Sequence, residues 1–120
     1  MTNPKMARLL ARLVEKTDQG KVNWEETEQT DVYQAAFPGY SVRISYREAT
    51  GLLALGTTDY LLSIFNEDGT QIDEASDVDL KSDYSDSFNR MKKLHEDARR
   101  KALGVDEALD KILAELDKEK

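Results

Sequence analysis

The sequence predicts an α+β fold: an N-terminal helix, then an antiparallel meander of about four strands, then two C-terminal helices packed on one face of the sheet. Two observations carry this prediction. Apolar residues recur every three or four positions near both ends of the chain, as in amphipathic helices, and they alternate with polar residues in the middle, as in half-buried strands. At 120 residues the chain is expected to form a single domain, 1–120.

The first helix is predicted at about residues 4–18. Asn3 and Pro4 are typical of an N-cap followed by proline at the first helical position. Gly20 is typical of the residue that ends a helix. Between them, apolar side chains follow the helical period and form one stripe, which consists of Met6, Leu9, Leu10, Leu13 and Val14.

The sheet is predicted at about residues 30–75. Its clearest strand is 40–47, in which polar residues alternate with an apolar face formed by Tyr40, Val42, Ile44 and Tyr46. Residues 58–65 are apolar on both faces, which indicates a central strand. Segment 48–57 fits a loop, a short strand or an extension of a strand, and the sequence does not decide between them.

Residues 66–87 form an acidic segment with eight acidic side chains and one lysine. The net charge of this segment is therefore −7, the same as that of the whole chain. Its first part, NEDG at 66–69, indicates a hairpin turn closed by glycine, after which the chain returns as a short edge strand. Residues 76–82 are predicted to be an acidic linker. Asp83 and Asp86 suit the start of the helix that follows, because acidic side chains are favourable at the N-terminal end of the helix dipole.

Four carboxylates of the acidic segment have no structural role that the sequence reveals, namely Asp73, Glu74, Asp77 and Asp79. An unpaired carboxylate is costly to bury, so we expect all four to be exposed and weakly ordered. Exposed charges of one sign steer an oppositely charged partner towards the surface that carries them. We therefore predict that these four residues contact a partner protein with a basic surface.

Two helices, at about 83–103 and 105–118, are predicted to close the chain, with Gly104 between them. The apolar residues of the last helix form one stripe, which consists of Val105, Ala108, Leu109, Ile112, Leu113 and Leu116. We expect this stripe to dock within the same chain, because an isolated helix of this length is marginal in water. A homodimer formed through the stripe is the alternative.

The composition argues against several kinds of chemistry. The chain has no cysteine, which excludes disulfides, thiol catalysis and cysteine-ligated zinc and fits a cytoplasmic protein. Its only histidine, His95, has no zinc-ligand neighbour at helical spacing and is expected to be a half-buried packing residue. A calcium loop centred on Gly69 would have Ile64 at its first position and Ala75 at its twelfth, so the ligand pattern fails. We therefore predict no catalytic residue, no metal and no cofactor.

Two classes of partner are also disfavoured. No run of 18 apolar residues is present, which argues against a membrane partner. The net charge of −7 repels nucleic-acid phosphates, which argues against a nucleic-acid partner.

Two stretches, EKTDQGKVNWEETEQTDVYQAAF (15–37) and RRKALGVDEALDKILAEL (99–116), carry a resemblance. They are similar to small uncharacterised bacterial α+β proteins that share a leading helix, a KT-x-x-GK-x-x-W corner, an antiparallel sheet and closing helices. The resemblance implies a bacterial or phage origin and an α+β fold. It implies no activity, because the shared motifs are structural.

The function predicted from the sequence is a non-enzymatic, cytoplasmic protein-binding domain of the chaperone, immunity, antitoxin or adaptor type that uses an acidic surface. The alternative is a small carboxylate- or divalent-metal-dependent enzyme, in which Asp77, Asp79 and Asp83 are the candidate residues. The two hypotheses differ in geometry: the enzyme needs carboxylates that converge in a cavity, whereas the binding domain needs an open acidic surface.

Overall fold

The computed structural model describes residues 3–48 and 58–118, so residues 49–57 of the segment left unassigned by the sequence lie outside the described part. The elements in chain order are α1 (Pro4–Asp18), β1 (Trp24–Glu26), β2 (Tyr33–Phe37), β3 (Tyr40–Glu48), β4 (Thr58–Asn66), β5 (Gln71–Ser76), α2 (Asp77–Leu80), α3 (Ser87–Ala102) and α4 (Val105–Lys118). The predicted α+β class and the antiparallel meander are confirmed. Within the described ranges, no helix is both long enough and apolar enough to cross a membrane.

The five strands lie in the order β1-β2-β3-β4-β5, and each is antiparallel to its neighbours. The prediction of about four strands missed β1, in which Trp24 pairs with Ala35 of β2. A strand of three residues is too short for an alternating pattern to be recognised in the sequence. The sheet therefore extends from Trp24 to Ser76 rather than over about 30–75.

The core lies between one face of the sheet and the helices α1 and α3. Ile44 of β3 and Leu62 of β4 are register partners, and neither has any exposed surface. They belong to one apolar cluster with helix residues such as Leu10, Met91 and Leu94. Burial of each such side chain contributes about 1.5–3 kcal/mol, which makes this layer the main source of stability.

The alternation predicted for residues 40–47 is found in β3. Val42 and Ile44 are buried, whereas Tyr40 and Tyr46 on the same face are 54% and 38% exposed near the ends of the strand. The other face of β3 is polar, and none of its residues is buried: Ser41, Arg43, Ser45 and Arg47. One face of β3 therefore packs on helices, and the other face of this strand is polar and partly exposed.

The hairpin turn predicted at 66–69 is confirmed. The side-chain oxygen of Asn66 accepts hydrogen bonds from the backbone N–H groups of Asp68 and Thr70, both at 3.0 Å. Gly69 has φ of 83°, a left-handed conformation that glycine adopts without steric cost. The turn connects β4 to β5 and fixes the first residues of the acidic segment in place.

The acidic linker predicted at 76–82 contains a short helix, α2, and α3 begins at Ser87 rather than at about 83. The backbone N–H of Tyr84 donates to the carbonyl of Leu80 at 2.8 Å, and the N–H of Ser87 donates to the carbonyl of Tyr84 at 2.9 Å. The residues from about 83 onwards, which we expected to begin the helix, therefore form turns. Asp86 then occupies the N-cap position of α3.

Helix α4 has the predicted bounds, but its predicted apolar stripe, from here on the α4 stripe, is not buried. Its four large aliphatic side chains are 46–61% exposed, namely Leu109, Ile112, Leu113 and Leu116. The expected burial of the stripe within the same chain is therefore not found. The physical reason is that α1, α2 and α3 already supply the helix residues that cover the apolar face of the sheet.

Candidate functional site

Asp77, one of the four predicted partner-binding residues, is buried and only 6% exposed. Its Oδ1 accepts a hydrogen bond from the backbone N–H of Tyr60 at 2.8 Å, and its carbonyl oxygen accepts one from Ser87 Oγ at 2.6 Å. The prediction that all four carboxylates are exposed is wrong for this residue. Asp77 joins β4, α2 and α3, and its carboxylate is paired, which removes the burial penalty on which the prediction rested.

Asp79 is exposed, but it has a structural role that we did not assign to it. Its Oδ2 accepts from the backbone N–H of Ser76 at 2.9 Å, while Ser76 Oγ accepts from the backbone N–H of Asp79 at 3.1 Å. This reciprocal pair is a capping box at the start of α2. The spacing Ser76-x-x-Asp79 is a local signal that could have been recognised in the sequence.

Asp73 and Glu74 are exposed on β5, as predicted. Asp73 Oδ1 accepts from the neighbouring backbone N–H of Glu74 at 2.9 Å, and Glu74 Oε2 lies 3.3 Å from Ser63 Oγ. Strand β5 pairs only with β4 among the described strands, so both carboxylates lie on an edge of the sheet. Of the four predicted residues, Asp73, Glu74 and Asp79 are therefore exposed, and the first two lie on the edge strand.

The three carboxylates that the alternative enzyme hypothesis needs each accept a hydrogen bond from a different backbone N–H group. Asp77 accepts from Tyr60 and Asp79 from Ser76, while Asp83 Oδ2 accepts from the N–H of Asn3 at 2.6 Å. In the part of the chain that the structure describes, no group of three or more acidic or histidine side chains is placed to hold a metal ion. These carboxylates therefore hold local structure rather than forming a common centre.

A groove of about 410 Å³ lies between the end of α1 and the α3–α4 junction. Within it, Lys93 Nζ donates to Asp18 at 2.5 Å and to Asp97 at 2.6 Å. The hydrogen bond from Lys93 lowers the pKa of Asp18, and the hydrogen bond to Asp18 raises the pKa of Lys93. General acid–base catalysis requires a pKa near the working pH, and both shifts lead away from neutrality. The groove thus contains a structural ion pair.

His95 lies at the centre of an aromatic cluster and is 7% exposed, more buried than we expected. Its ring centroid lies 5.2–5.9 Å from the rings of Tyr33, Tyr46 and Tyr60, and its Nε2 is 2.8 Å from the carbonyl oxygen of Asp31. The cluster connects α3 to three strands of the sheet. The predicted role of His95 as a packing residue is therefore confirmed. The sequence did not indicate its hydrogen bond to the β1–β2 loop.

The tyrosine hydroxyls of this cluster favour their protonated form. Burial is the main cause that raises the pKa of Tyr33 and of Tyr60. The Tyr46 hydroxyl donates to Asp31 Oδ2 at 3.1 Å, and this hydrogen bond raises the pKa of Tyr46. All three hydroxyls are therefore neutral near pH 7, so none of them acts as a base, and the tyrosines pack on His95 and orient the loop.

The α4 stripe is the largest set of exposed apolar side chains in the described residues. Leu103, the C-cap residue of α3, is also 46% exposed. Five large aliphatic side chains that are each about half exposed present an apolar area on the order of several hundred Å², the size that marks an interaction surface on a soluble domain. The sequence revealed the stripe but not its exposure, because exposure depends on what the other helices cover.

Comparison of the chain with protein-family models, with curated proteins and with solved structures gave no match.

A substitution of Asp77 tests its structural role. Asp77→Ala leaves the N–H of Tyr60 without its acceptor, so we expect it to lower the free energy of unfolding by about 1–3 kcal/mol. Asp73→Ala is the matched control, because it removes an exposed carboxylate from the same acidic segment; we expect a change within about 0.5 kcal/mol. Urea unfolding monitored by circular dichroism measures both. Equal effects of the two substitutions would contradict the role of Asp77.

Proposed function

We propose that this chain is a non-enzymatic protein-binding domain and that its docking element is α4. The single observation that supports the proposal is that α4 carries an apolar stripe and has no buried residue. Most helix stability in proteins comes from packing of the apolar face, and a helix of 14 residues is marginal in water by itself. A partner that covers the stripe supplies the packing that α4 does not obtain from its own chain.

The core makes this arrangement feasible because it does not use α4. Among the residues that the structure describes, every buried apolar side chain lies between Met6 and Ala98, and α4 begins only at Val105. A partner can therefore bind α4 without opening the core. Chaperones, immunity proteins, antitoxins and adaptors all act through binding of this kind, and they are the classes that we propose.

We further propose that a basic partner contacts the exposed carboxylates of β5 as a secondary surface. Asp73 and Glu74 support this part of the proposal, because both are exposed on an edge strand. Charges in such positions mainly raise the rate of association and contribute little to affinity. Asp77 is no longer included, because its carboxylate is buried. Asp79 is exposed and stays a candidate contact, although its Oδ2 also caps α2.

The proposal is tested by affinity capture from a lysate of the organism that encodes the chain. We expect Ile112→Glu to reduce the captured partner at least about tenfold, because it places a charge in the middle of the α4 stripe. The protein itself should stay folded, since Ile112 is 57% exposed. Ala114→Glu is the matched control, because it adds the same charge on the opposite side of α4.

Mass spectrometry identifies the captured proteins, and circular dichroism checks the fold of both variants. Equal capture by wild type, Ile112→Glu and Ala114→Glu would contradict the role of α4. Unfolding by Ile112→Glu alone would also contradict it, because the stripe would then be buried within its own chain.

A further inference from the structure

The spacing of the α4 stripe indicates the shape of what covers it. Val105, Leu109, Ile112 and Leu116 are spaced 4, 3 and 4 residues apart, which is the spacing of the a and d positions of a heptad. Side chains at these positions insert between four residues of a facing helix. The stripe is therefore suited to another helix, rather than to a strand, whose side chains recur with a period of two.

The charged residues beside the stripe are acidic on both sides. On a helix with 3.6 residues per turn, Asp106 and Asp117 lie next to one edge of the stripe and Glu115 lies next to the other. The two lysines of α4, Lys111 and Lys118, lie farther round the helix. A helix that packs on the stripe therefore meets carboxylates along both of its borders.

The chain neutralises only part of this acidic border. Arg100 donates to Asp106 at 2.9 Å, and Lys118 lies 3.3 Å from Glu115. Asp117 makes no ion pair with any other described residue. Two of the three border carboxylates thus have a basic partner and Asp117 has none among the described residues, so the border keeps an excess of one negative charge.

A second copy of the chain is a poor occupant of the stripe for the same reason. In an antiparallel pair each border faces the identical border of the other copy. In a parallel pair the border with Asp106 and Asp117 faces the border with Glu115. Both arrangements place like charges opposite each other, and each chain also has a net charge of −7.

We propose, on the basis of the proposed binding role of α4, that the stripe receives an amphipathic helix of another protein that carries lysine or arginine beside its apolar face. The apolar contacts supply affinity, and the charges select the partner and orient it. Self-association and acidic partners are disfavoured by the same carboxylates. Specificity thus comes from repulsion of wrong partners as well as attraction of the right one.

The test uses two synthetic helical peptides of about three heptads with the same leucine and isoleucine a and d positions. One has lysine at the e and g positions, and the other has glutamate there. Isothermal titration calorimetry with the full-length protein at about 50 mM salt is expected to give at least about tenfold tighter binding of the lysine peptide. At about 500 mM salt the preference should shrink, because exposed charges are screened.

Two double variants assign the preference to the border. Glu115→Gln with Asp117→Asn should reduce the preference for the lysine peptide by at least about threefold, without a change in melting temperature. Glu67→Gln with Asp68→Asn removes the same number of charges from the exposed β4–β5 turn, which has no part in the proposed binding surface, and should leave the preference unchanged. Ile112→Glu should abolish the binding of both peptides.

Three results would overturn the inference. They are equal affinity for the two peptides, no binding of either peptide, and a wild-type dimer in sedimentation that Ile112→Glu dissociates. None of these results refutes the proposed function if Ile112→Glu still abolishes capture of a partner. Conversely, capture that is insensitive to Ile112→Glu would refute the proposed function, whatever the peptides do.

Discussion

Ile44→Asp is expected to unfold the protein or to bring it close to unfolding. Ile44 has no exposed surface, lies opposite Leu62 of β4 and Tyr33 of β2, and faces the helix layer. A carboxylate there would be buried among apolar side chains without a partner, which costs several kcal/mol. A domain of this size has a total stability of about 5–15 kcal/mol, so most of it would be lost. Thermal unfolding followed by circular dichroism measures the effect.

The neighbouring residue provides the control for this experiment. Ser45 has its side chain on the open face of β3 and is only partly buried, so Ser45→Asp adds the same charge to the same strand where water can solvate it. We expect Ser45→Asp to change the free energy of unfolding by less than about 1 kcal/mol. A melting temperature of Ile44→Asp within about two degrees of wild type would refute the assignment of Ile44 to the core face.

The parts of the fold that the sequence predicted well are those that local chemistry determines. The alternation around Val42 and Ile44 sets which face of β3 is buried, and the turn at 66–69 uses the side chain of Asn66 and the conformation of Gly69. Helix α1 has the predicted bounds because Asn3 caps its first turn and proline follows at its first position. Each of these signals lies within a few residues of the structure that it specifies.

The errors concern residues whose environment is set by distant parts of the chain. Asp77 is buried because the N–H of Tyr60, 17 residues away, needs an acceptor, and no local pattern reveals this pairing. Strand β1 exists because Trp24 pairs with Ala35, although its three residues have no strand pattern of their own. Asp79 is different, because its capping box with Ser76 is local and was predictable.

The exposure of the α4 stripe could not be predicted from its own residues. An amphipathic helix has the same periodicity whether its apolar face packs on its own chain or on a partner. The outcome depends on the area of apolar sheet surface and on how many helices compete for it. This sheet has one apolar face, and the helix residues in its core cluster come from α1, α2 and α3, which leaves none for α4.

The second large effect is expected at the corner between α1 and β1, where Trp24→Ala should lower the free energy of unfolding by about 3–5 kcal/mol. Trp24 is 1% exposed, is the largest fully buried side chain, and joins the end of α1 to the first strand. Its removal leaves a cavity that the short strand β1 can fill only in part, and the loss of its contacts is added to the cost of that cavity. Urea unfolding measures the change.

The hydrogen bond at this corner can be separated from the packing of the ring. Trp24 Nε1–H donates to Thr17 Oγ1 at 3.0 Å, so Thr17→Val removes the acceptor while it keeps the shape of the side chain and the whole indole ring. We expect Thr17→Val to cost about 1–3 kcal/mol, because the indole N–H is then left unpaired, and Trp24→Ala to cost more. If Trp24→Ala costs no more than Thr17→Val, the hydrogen bond rather than the buried ring holds the corner. If both substitutions cost less than about 0.5 kcal/mol, Trp24 does not anchor α1 to the sheet. In that case α1 has to be held in the helix layer by its packing on α3 and by the Lys93–Asp18 ion pair.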